Sequence, residues 1–200
     1  MNLPNKLTTA RVGLTGLFLI AVLWHHPDRN PVNDTIALVL FIIAGITDIA
    51  DGRIARARGL ITDFGKLMDP LADKLLICSA FIAMTSRGNI AAWMAIVIVA
   101  RELAITGLRT LAASKHVVLA AEVHGKHKTL TQIIAISAML VMDCHTEWGE
   151  WSQWFFNLEL FGVPWGHGFT ELAKWLAVIL TILSGVTYMW RNREIYLKDM

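Results

Sequence analysis

Asp48, Asp51, Asp69 and Asp73 lie within the run TDIADGRIARARGLITDFGKLMDPLADKLL, which extends from Thr47 to Leu76 on a largely apolar background. Their arrangement is Asp48-x-x-Asp51-Gly52-x-x-Ala55-Arg56, eight intervening residues, then Gly65-x-x-x-Asp69-x-x-x-Asp73. A carboxylate at membrane depth costs roughly 3 kcal/mol by insertion scales, so several together need a shared use. Hard oxygen donors in this number suit Mg²⁺ or Mn²⁺, and four carboxylates can hold two ions about 4 Å apart.

The residues around the aspartates favour helices. At 3.6 residues per turn, Asp48, Asp51, Gly52 and Ala55 fall within about a third of the circumference, and Asp69 and Asp73 share a face one turn apart. Two helices would each present a pair of carboxylates across a gap, with space for a ligand at Gly52 and Ala55. Pro70 is compatible with a position close to a helix start. A plainer account pairs Asp51 or Asp69 with Arg53, Arg56 or Lys74 at a membrane edge and uses the glycines only for close packing. That accounts for any one aspartate, but not for four at this spacing.

Hydrophobic residues make up 55% of the 200 residues, and the mean hydropathy is +0.51. Both values predict an all-α integral membrane protein. Six stretches approach the ~20 residues needed to cross a bilayer: Thr8–Trp24, Thr35–Ile54, Leu67–Thr85, Ile90–Ala113, Thr129–Met142 and Thr170–Trp190. The first carries Arg11 and has no clear small-residue cleavage site, so it reads as a retained helix rather than a signal peptide. No linker or repeat divides the chain, and residues 1–200 read as one membrane domain.

A net charge of +2 argues against a nucleic-acid binder, and the distribution of the charges indicates topology. With both termini cytoplasmic, most Lys and Arg fall on the inner side, whereas Arg29, Arg87 and Lys174 fall near the outer side, as the positive-inside rule requires. The aspartates then face the cytoplasm. Cys78 and Cys144 have no metal-type spacing. The segment from His145 to Gly168 contains Trp148, Trp151, Trp154, Phe155, Phe156, Phe161 and Trp165 but no Lys or Arg, which suits an aromatic belt at the outer interface better than an aromatic ligand site.

The aspartate pattern resembles the signature of the CDP-alcohol phosphatidyltransferase family, D-x-x-D-G-x-x-A-R-x8-G-x-x-x-D-x-x-x-D, at every specified position. The resemblance implies a six-helix membrane fold, often a homodimer, that binds a CDP-linked lipid over Mg²⁺ or Mn²⁺. By the same resemblance Asp48, Asp51 and Asp69 are metal ligands, and Asp73 is both ligand and catalytic proton acceptor. Gly52, Ala55, Arg56 and Gly65 would border the CDP-lipid, with Thr62 as a further nucleotide contact. The segment Asn5-x-Leu7-Thr8-x-x-Arg11 is similar to the amino-terminal part of these enzymes and places Thr8 and Arg11 near the CDP end; capping by Asn5 or Thr8 explains that segment equally well.

A second polar cluster bears on the acceptor alcohol. Arg101 and Glu102 lie inside the fourth apolar stretch, where charges require partners or a polar cavity. Arg109 with Lys126 and Lys128 would make a pocket for an acceptor phosphate. A structural Glu102–Arg109 pair and positive-inside anchoring of the lysines account for the same residues. The order RE…GLR…GK-x-KT-x-x-Q resembles the corresponding segments of the bacterial phosphatidylglycerophosphate synthase branch of the family. That implies CDP-diacylglycerol as donor and glycerol 3-phosphate as acceptor, with Arg101, Arg109, Lys126, Lys128 and Thr129 on the acceptor phosphate. Serine, inositol phosphate or phosphatidylglycerol as acceptor would use the same chemistry. A divalent-cation transporter or a noncatalytic lipid-binding scaffold are the readings from other classes. His124 and His127 flank the cluster, and the remaining histidines show no metal-like spacing.

Overall fold

Apolar residues recurring at three- and four-residue intervals give each long segment one stripe that packs inward and another that faces outward. The computed structural model describes residues 3–24, 31–58, 63–115, 117, 119, 124–160 and 162–197; within these, the side chains of 3–8, 31, 48–58, 63–70, 73 and 124–127 are not described. The elements are α1 (Leu3–Leu23), α2 (Pro31–Arg58), α3 (Asp63–Ser86), α4 (Ala92–Ser114), α5 (His124–Cys144), a 3₁₀ turn (His145–Trp148), α6 (Glu150–Phe156), β1 (Glu159–Leu160), β2 (Val163–Pro164), α7 (Trp165–Arg191) and α8 (Arg193–Leu197). The described fold is helical apart from one short antiparallel ladder, in which Glu159 pairs with Pro164 and Leu160 with Val163.

Each of the six apolar stretches lies largely within one of the long helices α1 to α5 and α7. Most of these helices run past the apolar stretch into polar residues, because hydropathy ends at a charge and backbone hydrogen bonding does not. Pro70 consequently lies inside α3 rather than at its start. By length and composition, Lys128–Trp148 and Trp165–Arg191 are apolar enough to cross a membrane. Thr9–Leu23, Val32–Thr47 and Lys74–Ser86 are shorter apolar helical segments.

α1 packs on α2 and α3, α5 packs on α2, α3 and α7, and α4 packs on α3 and α7. The main core combines Phe18, Phe41, Phe81, Met84, Ile98, Ile136, Met139, Leu140 and Val178. Phe18 and Phe41 meet with ring centroids 5.6 Å apart and fix the register of α1 against α2. The outward faces stay apolar: Ile96, Leu103, Leu172, Leu183 and Val186 are all exposed.

The two ends of the bundle differ. At one end, Arg87 is buried between α2 and α5, with its Nη2 2.6 Å from Asp34 Oδ1 and its Nη1 3.3 Å from Asp143 Oδ2. Asn89 donates to the same Asp143 Oδ2 at 2.6 Å, and Lys174 Nζ donates to the Asn89 carbonyl at 2.8 Å. The aromatic segment closes this end: Trp151 stacks on Phe155 at 5.3 Å, and Phe155 meets Trp165 edge-on at 5.0 Å. Trp148, Trp151 and Trp154 remain exposed. Phe161 lies outside the described residues.

Candidate active site at the polar end of the bundle

At the opposite end, the inward stripes change from apolar to polar. On α1 the buried residues are Val22, Phe18, Thr15 and Arg11, with Arg11 only 1% exposed. On α2 the buried positions Asp34, Ala37, Phe41 and Ala44 repeat at alternating three- and four-residue steps, and continuing them in helical register reaches positions 48, 51 and 55. On α3 the buried Ala80 and Leu76, followed backward by the same rule, lead to positions 73 and 69. The Asp48, Asp51, Gly52, Ala55, Arg56, Gly65, Asp69 and Asp73 positions are thus helical and, for the aspartates, in register with the buried stripes; their side chains lie outside the described set, and Thr62 lies outside the described residues altogether. From the Phe18–Phe41 contact, Arg11 and position 48 each lie seven residues, or about 10 Å, along their own helices.

α4 supplies the next part. Glu102 is 7% exposed and Lys128, from α5, is 4% exposed, and Lys128 Nζ donates to Glu102 Oε1. Arg101 lies 3.5 Å from the same carboxylate oxygen through Nη1 and donates to Ser184 Oγ of α7 through Nη2 at 2.7 Å. Thr106 donates to the Glu102 carbonyl at 2.7 Å, and Lys74, adjacent in sequence to Asp73, donates to Thr106 Oγ1. These bonds link the aspartate-bearing helix α3 to α4, α5 and α7. Gln132 Nε2 donates to Thr181 Oγ1 at 3.0 Å, both being buried.

Arg109 is exposed; its Nε donates to Tyr188 OH at 3.2 Å and its guanidinium carbon lies 5.6 Å from the Tyr188 ring centroid. Glu102 therefore pairs with Lys128 and Arg101, not with Arg109. The reason is geometric: Arg109 stands two helical turns, about 10 Å, beyond Glu102, whereas α5 brings Lys128 to its level. Thr129 is half-buried, and the Lys126 and Thr8 positions are helical with side chains outside the described set.

Lys74, Thr106, Thr181, Ser184 and Tyr188 were not singled out from the sequence as parts of the site. For three of them the signal is local: Thr181, Ser184 and Tyr188 put three hydroxyls on one face in the mainly apolar second half of α7, and buried hydroxyls require partners. The Asp48 and Asp51 positions lie on α2 and the Asp69 and Asp73 positions on α3, two helices that contact each other, and carboxylates are of the oxygen-donor class that suits a divalent cation. Among the described residues no group of three or more His, Cys, Asp or Glu side chains is placed to hold a metal.

Comparison with known proteins identifies the family. The family model for CDP-alcohol phosphatidyltransferase matches residues 1–183. The chain is 42% identical to a Bacillus subtilis protein named "CDP-diacylglycerol--glycerol-3-phosphate 3-phosphatidyltransferase", with 96% of each chain covered. It is 32% identical to a Rickettsia bellii protein of the same name, over 94% of this chain and 93% of that one. With its helical bundle matched from residue 1 to residue 183, the chain belongs to the CDP-alcohol phosphatidyltransferase family.

Proposed function

We propose that this chain transfers the phosphatidyl group of CDP-diacylglycerol to glycerol 3-phosphate, forming phosphatidylglycerophosphate and CMP. The observation that supports the reading is the polar end of the bundle, where Lys74 of α3, Arg101 and Glu102 of α4, Lys128 of α5 and Ser184 of α7 are joined through hydrogen bonds and an ion pair; Asp48, Asp51, Asp69 and Asp73 are assigned to this end together with Arg109, Lys126 and Thr129. The names of the similar Bacillus and Rickettsia proteins support the choice of donor and acceptor.

Asp48, Asp51, Asp69 and Asp73 would hold Mg²⁺ or Mn²⁺, two ions in number, which would supply charge neutralisation of the diphosphate and polarisation of the attacked phosphorus. Asp73 accepts the proton of the acceptor's primary hydroxyl. The hydroxyl oxygen then bonds to the phosphorus that carries the diacylglycerol, and the bond from that phosphorus to the CMP oxygen breaks. Thr8, Arg11, Gly52, Ala55, Arg56, Thr62 and Gly65 border the CDP-lipid. Arg109 is the described guanidinium best suited to hold the acceptor phosphate: among the described residues its terminal nitrogens have no protein partner, so a two-point contact is available. Positioning and electrostatics supply most of the rate in such a transfer.

The setting of this reaction is a six-span bundle, one domain over residues 1–200, in a bacterial inner membrane. Both termini and the polar end face the cytoplasm, lipids cover the outward faces, and a homodimer draws its interface from α3 or α4. A continuous ion path is not favoured, because Asp34, Arg87 and Asp143 form a buried ionic cluster at the far end. The direct test is CMP release by the purified enzyme with CDP-diacylglycerol and a panel of alcohols. Glycerol 3-phosphate should be preferred over serine, inositol phosphate and phosphatidylglycerol; no CMP with glycerol 3-phosphate would exclude the assignment. Metal flux in proteoliposomes without CMP release would instead support a transporter.

A further inference from the structure

Three hydroxyls on α7 each accept a hydrogen bond from a polar side chain of a neighbouring helix. Thr181 Oγ1 accepts from Gln132, Ser184 Oγ from Arg101 and Tyr188 OH from Arg109, at 3.0, 2.7 and 3.2 Å. Their spacing of three and four residues places them on one stripe of the helix. Gly185 belongs to the same arrangement, since a Cβ there would lie 2.9 Å from Arg101 Cγ. Ser184, Gly185 and Tyr188 all lie beyond residue 183, where the family match ends.

The Tyr188–Arg109 contact joins a buried group to an exposed one. Tyr188 is 2% exposed and packs with Ile105 and Leu108 of α4, whereas Arg109 is exposed. An exposed arginine samples many rotamers, and confining it before a ligand arrives lowers the entropy lost on binding. Tyr188 engages Nε, so the two terminal nitrogens keep the fork that matches a phosphate.

We propose that Tyr188 is a positioning residue that presets Arg109 for the phosphate of the acceptor alcohol, and that α7 thereby sets affinity for phosphorylated acceptors. The inference rests on the acceptor-side reading of Arg109 given above.

Tyr188→Phe tests it, because the ring and its packing remain while the hydroxyl is removed. CMP release is measured against glycerol 3-phosphate and against CDP-diacylglycerol, with the quantity of folded enzyme fixed by elution in detergent. The expected result is a rise of about tenfold in KM for glycerol 3-phosphate, the scale of a lost hydrogen bond to a charged group. The kcat and the KM for CDP-diacylglycerol should each stay within about twofold, the pattern of a change confined to acceptor binding. In an Arg109→Ala background, Tyr188→Phe should add almost nothing, because the two act as one unit. An unchanged acceptor KM, or the same rise with Arg109 absent, overturns the proposal. Failure of the acceptor assignment itself looks different: the unsubstituted enzyme then releases no CMP with glycerol 3-phosphate. The same double-mutant cycle on whichever phosphorylated alcohol is turned over then decides the coupling, and independence of the two substitutions there overturns it.

Discussion

Lys128 and Glu102 form an ion pair inside the bundle, with side chains only 5% and 9% exposed. The pair joins α4 to α5 at the level where Lys74 bonds to Thr106 and where Arg101 bonds to Ser184. Breaking a buried pair by removing one member strands the other charge, whereas replacing both with apolar groups is often tolerated. Glu102→Ala should therefore destabilise the protein by about 3–5 kcal/mol. The double variant Glu102→Leu with Lys128→Met should recover much of the thermal midpoint in detergent without recovering CMP release. Recovery of both would mean that the pair serves folding alone.

Asp73→Asn tests the proton acceptor. An amide retains the shape of the carboxylate but cannot take the hydroxyl proton, so turnover should fall by about 10²–10⁴-fold. The thermal midpoint should change little. Near-normal CMP release from this variant would remove Asp73 from the proposed chemistry.

Removal of divalent metal should stop CMP release, and Mg²⁺ or Mn²⁺ should restore it. The dependence should be strongest on the aspartate positions: Asp48→Ala or Asp69→Ala should raise the metal concentration needed for half activity. Full turnover in excess EDTA would contradict the metal-centred reading.

Gly185→Ala places a methyl group where Arg101 Cγ would be 2.9 Å away. That contact involves the middle of the arginine stem, so the helix or the side chain must shift, at about 1–3 kcal/mol. The cost should largely vanish in an Arg101→Ala background when read as thermal stability. Equal costs in both backgrounds would show that Gly185 is not matched to Arg101.

At the far end, Arg87→Leu should remove the cation paired with the buried carboxylates of Asp34 and Asp143 and lower stability by about 3–5 kcal/mol. Both KM values should stay at the parental level for enzyme that remains folded, since the substitution lies at the end away from the site. A selective rise in KM for glycerol 3-phosphate would show coupling between the two ends.

Much of this architecture was legible in the chain because hydropathy and helical periodicity are local properties. The six apolar stretches each lie largely within one long helix, and the spacing of Asp48 and Asp51, like that of Asp69 and Asp73, puts each pair on one helical face without knowledge of any neighbour. The signature carried by those residues also identified the family, which the match over residues 1–183 shows. Charge asymmetry distinguished Arg87 and Lys174 from the cluster around Arg109, and their placement at opposite ends of the bundle follows that division.

Only the tertiary structure decided which charges meet. Glu102 could have paired along its own helix with Arg109, yet α5 brings Lys128 to it, because pairing inside a bundle depends on the level and rotation of separate helices. The same packing made Thr181, Ser184 and Tyr188 of α7 into partners for Gln132, Arg101 and Arg109. Sequence spacing determines which residues share a face; the packing of one face against another determines which hydroxyl or carboxylate each cation finds.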